Sequence, residues 1–363
     1  MAGTADPGGL IHVHGGELGL GRERHGSGFV ILDAHGEPVT GDATLERVRS
    51  LRIPPAWTDV WIAAAPNAHL QATGVDAKGR RQYLYHPAWR ERRDHEKFDD
   101  MLVFAERLPG VRITVKRLLE SEGLGRERTL ALALRLLDIG FFRVGWDRYA
   151  RDNGHVGLTT LRREQVKVVG SAVRFDYVAK SGKRRRMTVR DAQSVQVLAP
   201  LRRRRGAPAE LLVYRTDGRG HRWRRIQAPD VNNALRCWAE GPYSAKEFRT
   251  WAATVLAAVE LAREHAAGRR SAQAVRRAVR DVSAALGNTP AVARASYIDP
   301  RVIELYEDGI VIDVPADLTV PAVPLRWETG DDGIVIELPT DVDGDLVRAE
   351  VERRVRELLQ RAA

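Results

Sequence analysis

Tyr297 stands near the end of the stretch LGNTPAVARASYIDP, Leu286 to Pro300, in which small residues predominate. A phenol there either packs its ring and ties off its hydroxyl, or acts as a nucleophile that a large substrate can approach. Metal-free attack on a phosphodiester by a tyrosine oxygen needs three further parts. Charge on two non-bridging oxygens in the transition state calls for fixed donors, and the guanidinium fork matches that geometry. The alkoxide leaving group needs a proton, which a nearby lysine or arginine can supply. The phosphotyrosyl ester then holds the bond energy for a reversal. Two arginines, a mobile lysine and a tyrosine from different elements are sufficient. The common alternatives are missing from the sequence: no Walker-type phosphate loop, no strand-linked G-x-G-x-x-G, no H-E-x-x-H and no acidic cluster suited to two magnesium ions.

The charge distribution agrees with a polyanionic partner. The 363 residues carry a net charge of +10, but residues 301–363 hold 15 acidic and 7 basic side chains, which leaves +18 on residues 1–300. Runs such as GKRRRMTVR and LRRRRG are the electrostatic footprint expected for nucleic acid, although an arginine-rich composition alone raises the charge in the same way. Apolar residues make up 44%, enough for a globular chain, and the length suggests two or three domains at roughly 100–200 residues each. The start of the chain lacks a basic segment followed by an apolar one, and no apolar run reaches about 18 residues. Neither export nor membrane insertion is expected, and a cytoplasmic location is the default. The single cysteine, Cys237, excludes an intrachain disulfide and a thiolate cluster for structural zinc.

The elements that must position such chemistry follow from local patterning. Residues 1–45 are rich in Gly, His and Asp with weak periodicity and read as a flexible or partly ordered lead-in. DVWIAA and AHLQATGVD alternate as strands, and a turn at Lys78-Gly79 leads into a strand with Gln82, Tyr83 and Tyr85. A helix over EKFDDMLVFAERLP is expected to stop at Pro109-Gly110, followed by helices in VRITVKRLLESEG and ERTLALALRLLDIGFFRVG. Alternation of Val173, Phe175 and Tyr177 before KSGK predicts a hairpin, with Lys180 and Lys183 flanking its Ser-Gly turn. Helices resume from DVNNALRCWAEG to RRSAQAVRRAVRDVSAALG. The tail holds two strand-like pieces, DGIVIDVP and DDGIVIELP, and a charged amphipathic helix.

FFRVGWDRYARDNGHVGLTTLRREQV, the hairpin VAKSGK, SAKEFRTWAAT and LGNTPAVARASYIDPRVIELY occur in that order, and together they resemble the type IB DNA topoisomerases of the bacterial and poxvirus branch. IPPAWTDVWI and ATGVDAKGRRQYLYHPAWR are similar to the amino-terminal domain of that family, so the resemblance runs roughly from Arg47 to Glu304. It implies an α+β fold: a small β-rich amino-terminal domain plus a mainly α-helical catalytic domain with a β-hairpin, forming a C-shaped clamp. The corresponding boundaries are a lead-in to 45, a DNA-binding domain at 46–110, a catalytic domain at 111–307 and an acidic extension at 308–363.

The resemblance further implies an isomerase, monomeric and nucleoid-associated, that relaxes supercoils in double-stranded DNA through a 3′-phosphotyrosyl intermediate. No cofactor, metal, ATP or membrane would be involved. Tyr297 becomes the nucleophile, Arg143 and Arg249 the clamp on the scissile phosphate, and Lys180 the general acid for the 5′-hydroxyl. Poxvirus members carry histidine where this chain has Asn288, and an amide can donate a hydrogen bond but cannot titrate. Lys183 lies close enough in sequence to reach the same phosphate, so the choice between the two lysines stays open. Gln82, Tyr83 and Tyr85 match family positions that meet DNA, and Lys183 and Lys246 join them as DNA-binding candidates. Arg80 and Arg81 are phosphate contacts or a solvated turn. Arg202 to Arg205 either touch flanking DNA or form a soluble surface, and the acidic extension could cap the domain, contact a partner or mimic DNA. A tyrosine recombinase is the nearest rival, but KEFRT lacks its His-x-x-Arg motif; a non-catalytic DNA-binding protein on the same fold is the other.

Overall fold

The computed structural model describes residues 6, 8–206, 208–216, 222–313, 326–330, 333–337 and 344–362. The chain divides into two compact units, Met1–Asp99 and Asp100–Ala363.

In the first unit, β1 (Gly19–His25), β2 (Gly28–Leu32), helix α1 (Asp42–Ser50), β3 (Thr58–Ala63), β4 (Leu70–Val75) and β5 (Arg81–Tyr85) follow one another. The strands form one antiparallel sheet in the order β2-β1-β3-β4-β5. Alternation along β3 sends Val60 and Ile62 inward, where they meet Ile31, Val48 of α1 and Ala72. The segment expected as a lead-in therefore supplies two strands. Its glycines and charged side chains hide the alternation, because β1 has no fully buried residue. Between β4 and β5, the carboxylate of Asp76 accepts the backbone N–H groups of Lys78 and Arg80 at 2.9 and 3.0 Å, and Gly79 takes a left-handed φ of +71°.

Helix α2 (Pro87–Glu120) crosses the unit boundary. It also runs through Pro109-Gly110, where the sequence predicted a stop. Proline removes one helical hydrogen bond while keeping a helical φ, and burial of Phe104, Leu108, Val111 and Val115 along one face holds the helix through that gap.

The second unit is built around α3 (Arg126–Gly140), buried on every side from Thr129 onward, as the apolar run TLALALRLLDIG requires. The order continues with α4 (Asp147–Asn153), β6 (Val166–Val169), β7 (Ala172–Val178), β8 (Arg184–Arg190), α5 (Ala192–Arg203), β9 (Val213–Arg215), β10 (Trp223–Arg225) and α6 (Ala228–Ala239). Then come α7 (Ala245–Ala266), α8 (Ala272–Leu286), α9 (Pro290–Ser296), α10 (Pro300–Glu307), β11 (Arg326–Gly330), β12 (Gly333–Glu337) and α11 (Gly344–Gln360). The mixed architecture, a small sheet followed by a mostly helical body, is the fold class expected from the sequence.

The predicted hairpin is β7 and β8, paired from Ala172↔Arg190 to Val178↔Arg184. It sits inside a five-stranded sheet, β11-β12-β8-β7-β6, in which β12 runs parallel to β8. The piece DDGIVIELP thus supplies β12, with residues 331, 332, 338 and 339 outside the described set. DGIVIDVP forms no strand over its described residues 308–313, and 314 and 315 lie outside them. Helix α11 buries Val351, Val355 and Leu359. Its Arg348 and Glu352 join Arg112 of α2 and Asp138 of α3 in one buried ionic network: Arg112 to Asp138 at 2.9 Å, Arg112 to Glu352 at 2.7 Å and Arg348 to Asp138 at 2.6 Å. The last helix of the acidic extension is therefore part of the second unit.

Candidate active site

Helix α7 opens with a capping box: Ser244 Oγ accepts the backbone N–H of Lys246, and Glu247 accepts from Ser244 N at 3.1 Å. One turn later Arg249 is only 3% exposed. Its Nη1 donates to the carbonyl of Phe141 just past the end of α3, and its Nη2 to that of Leu286, the last residue of α8, at 3.0 Å. The guanidinium thus sits where two helix carbonyl ends converge, which favours a cation. Its Cζ lies 5.2 Å from the centre of the Tyr297 ring.

Arg143 follows the left-handed turn at Phe141, φ +51°, that ends α3. Its loop is pinned to the segment HVGLTT by two backbone bonds, Leu158 N to Arg143 O and Thr159 N to Val144 O, both 2.8 Å. The two strands of chain approach so closely that a Cβ on Gly157 would stand 2.5 Å from Cα of Gly145, so both motif glycines are required by the backbone. Arg143 Nη2 then donates to Oδ1 of Asn288.

Asn288 is placed by the end of α8, where Gly287 takes φ +64° and Asn288 N bonds to Ser283 O at 2.9 Å. Thr289 caps α9, with Pro290 in its first turn, and Tyr297 terminates it. Thr254, on α7, donates to the Tyr297 carbonyl at 3.3 Å and accepts Asp299 N–H at 3.1 Å, which ties the tyrosine backbone to the helix bearing Arg249.

A third guanidinium underlies the cluster. Arg185 of β8, 7% exposed, shares the inward face with Met187 and Val189 and donates to Ala285 O at 2.8 Å. Tyr177 of β7 is buried against Phe142, ring centres 6.2 Å apart. Its phenol is pushed up by burial, partly opposed by Arg185, Arg249 and Arg143.

The electrostatics are one-sided. Among the described residues, none of Arg143, Arg185 and Arg249 pairs with a carboxylate. Burial and the neighbouring Arg143 depress the Arg249 guanidinium, and the Tyr297 phenol partly compensates. For Tyr297, burial would raise the pKa, but the charge and hydrogen bond of Arg249, followed by Arg143 and Lys246, outweigh it and hold the phenol below its ordinary value. Arg249 Nε, Arg185 Nε and Asn288 Nδ2 are buried donors without a partner among the described residues. Such groups are rare in folded proteins, and together they suit an incoming anion.

The remaining candidates fall elsewhere. Lys180 and Lys183 are exposed at the hairpin tip, where Ala179 N bonds Lys183 O at 2.8 Å; neither side chain makes a hydrogen bond or ion pair with a described residue. Lys246 is exposed on the first turn of α7. On the edge strand β5, alternation separates the three predicted DNA contacts. Gln82 shares the side of Leu84 and donates to Asp76 at 2.9 Å, whereas Tyr83 and Tyr85 stack on the other side, ring centres 6.2 Å apart. Arg80 pairs with Asp76 at 2.6 Å and Arg81 with Asp59 at 2.8 Å, and both stay half-exposed. In the run from 202 to 205, Arg202 donates to Val166 O at 2.8 Å, while Arg204 is buried and binds the carbonyls of Leu201, Pro208 and Glu210. Sequence reasoning missed Arg185, Tyr177 and Thr254. For Arg185, the period-two pattern of β8 was the available signal.

Residues 86–311 match the family model described as eukaryotic DNA topoisomerase I, catalytic core. The chain belongs to the type IB DNA topoisomerase family. Residues 28–76 match a second model, the bacterial DNA topoisomerase IB N-terminal domain. A relative named DNA topoisomerase 1B, from Acanthamoeba polyphaga mimivirus, is 28% identical over 298 residues, 80% of this chain and 88% of that protein. The function is that of a type IB topoisomerase, an isomerase acting on DNA, and among the described residues no helix is long and apolar enough to cross a membrane.

Proposed function

We propose that Tyr297 is the nucleophile of this topoisomerase and that Arg143, Arg249 and Asn288 hold the scissile phosphate. The observation that carries the reading is the convergence of uncompensated guanidinium groups on a tyrosine whose phenol they make more acidic. The phenolate oxygen attacks phosphorus, a P–O bond to Tyr297 forms, and the bond to the 5′-oxygen breaks. Arg143, Arg249 and the Asn288 amide meet the charge on the non-bridging oxygens, where one such donor is worth about 10²–10³ in rate. The departing 5′-oxygen takes a proton from Lys180, the general acid in this reading, with Lys183 as the other lysine within the same turn.

The free 5′ end rotates about the intact strand, and its hydroxyl, giving its proton back to Lys180, then attacks the phosphotyrosine, so that Tyr297 leaves as the phenolate and the strand is resealed. Each step exchanges one ester for another, so the balance of the reaction needs neither ATP nor a metal. One chain contributes the whole cluster, which supports action as a monomer. The bacterial-type amino-terminal match supports chromosomal DNA of the nucleoid as the place of action. On β5, Tyr83, Tyr85 and Arg81 are the groups we assign to DNA contact, with phosphate contacts setting register rather than sequence.

The test is relaxation of a supercoiled plasmid in EDTA without nucleotide. The native chain relaxes it, and Tyr297→Phe is inactive while its DNA affinity stays nearly unchanged. Relaxation at the native rate by Tyr297→Phe rules out the assignment.

A further inference from the structure

Arg185 lies in a basic run that invites a surface reading, yet its guanidinium is buried and no acid among the described residues faces it. A buried charge of this kind is unfavourable unless something nearby answers it. Here the answer is the carbonyl end of α8. Nη2 donates to Ala285 O at 2.8 Å, and Nη1 lies where a Cβ on Gly287 would come within 2.4 Å. Only glycine, at φ +64°, allows the fork to press against this turn. The next residue is Asn288, whose Oδ1 accepts from Arg143 and whose Nδ2 is buried without a partner among the described residues. Arg185 therefore holds the end of α8 and the one residue, Gly287, that separates it from the Asn288 amide.

We infer that Arg185 is a positioning residue for strand cleavage: its guanidinium fixes the Gly287 turn so that Asn288 Nδ2 is already aimed when the phosphodiester arrives. Facing Arg185 are Tyr177 on β7, Arg143 in the loop after α3 and Arg249 on α7, with the sulfur of Met187 4.0 Å from its Nη2. Among its described partners only carbonyl oxygen, that sulfur and the Tyr177 phenol offer electron density. That leaves the fork committed to the α8 terminus rather than to an ion pair. Lysine at the same position keeps a charge but has one nitrogen, so it cannot hold Ala285 O and press on Gly287 together.

This inference rests on the proposed roles of Tyr297 and Asn288, and the experiment separates the two. Cleavage of a DNA duplex is followed as covalent adduct in single turnover, alongside non-covalent DNA affinity and thermal unfolding, for Arg185→Lys, Gly287→Ala, Asn288→Ala and the double variant Arg185→Lys/Asn288→Ala. Misplacing a donor by about 1 Å costs on the order of 10² in rate. Arg185→Lys and Gly287→Ala should each slow cleavage by about that factor while DNA affinity holds within about threefold. Removal of Asn288 in the Arg185→Lys background should then slow cleavage by no more than about threefold, because the amide is already out of place. Multiplicative losses in the double variant, or native cleavage rates in both Arg185→Lys and Gly287→Ala, would overturn the inference, whatever happens to the unfolding temperature. If Tyr297→Phe still forms adduct, the nucleophile assignment falls instead.

Discussion

The Arg249 guanidinium stands 5.2 Å from the centre of the Tyr297 ring, on a helix whose Thr254 also grips the tyrosine backbone. The same helix therefore sets both the position of the phenol and its acidity. Because two carbonyl ends hold the guanidinium, it is preorganised before DNA binds, which is the condition under which fixed donors lower a barrier.

The pH dependence of cleavage should report this pairing. Burial raises the Tyr297 pKa, but Arg249 first, then Arg143 and Lys246, bring it below the ordinary tyrosine value. As pH rises, the cleavage rate should climb and level off at a lower pH than a free phenol would require. In Arg249→Ala the desolvation remains and the largest opposing charge is gone, so the midpoint should move to higher pH. The maximal rate should also fall about 10²–10³-fold. An unshifted midpoint in single-turnover cleavage from pH 6 to 10 would show that Arg249 does not tune the nucleophile.

The identity of the general acid is open to a chemical test. Lys180 and Lys183 flank the same exposed turn, so distance alone does not choose between them. Lys180→Ala should slow cleavage about 10²–10⁴-fold. A substrate with sulfur in place of the 5′-bridging oxygen leaves without that proton, and it should restore the rate of Lys180→Ala. If Lys183→Ala alone shows this rescue, the acid is Lys183.

Much of this site was legible because motif residues cluster where the backbone is constrained. Tyr297, Asn288 and Arg143 lie at or just past helix ends and Arg249 one turn into α7, and their segments resemble a known family. Arg185 was not, since a charge inside KRRRM signals surface, and only the strand alternation with Met187 and Val189 turns it inward. The same conflict between local signal and tertiary burial carried α2 through Pro109-Gly110 and concealed β1 and β2. Gln82 and Tyr83 illustrate the converse: adjacent in sequence and grouped as DNA contacts, they face opposite sides of an edge strand.

The run of four arginines should split by burial. Arg204 holds three carbonyls and stacks 5.6 Å from the Trp223 ring, and burial brings its guanidinium down to about 10. Arg204→Ala leaves those carbonyls unanswered and should destabilise the fold by about 2 kcal/mol. The salt dependence of DNA binding should not change. If DNA touches this run, it does so through exposed Arg203 or Arg205, and either alanine variant should then reduce the slope of log K against log salt by about 0.9. That reduction in Arg204→Ala would reverse the assignment.

The acid stability of the second unit should depend on its last helix. Burial raises the pKa of Asp138 and Glu352, but Arg112 and Arg348 outweigh it, and both carboxyls lie below their ordinary values. A carboxyl depressed in the folded state stabilises the fold above its unfolded pKa, near 4, and that contribution is lost as pH falls through the folded value. The network should therefore be at full strength at pH 7 and weaken in the acid range below about 4. Arg348→Met removes the guanidinium that meets Asp138 at 2.6 Å and Glu352 at 2.9 Å. With one partner gone, a buried network costs about 3–5 kcal/mol. At pH 7 the unfolding midpoint of Arg348→Met should fall by on the order of 10 °C, and the gap should begin to narrow below about pH 4, where the variant, lacking one guanidinium, takes up protons on these carboxyls before the native fold does. A midpoint unchanged at pH 7 would mean that α11 is held by Val351, Val355 and Leu359 alone.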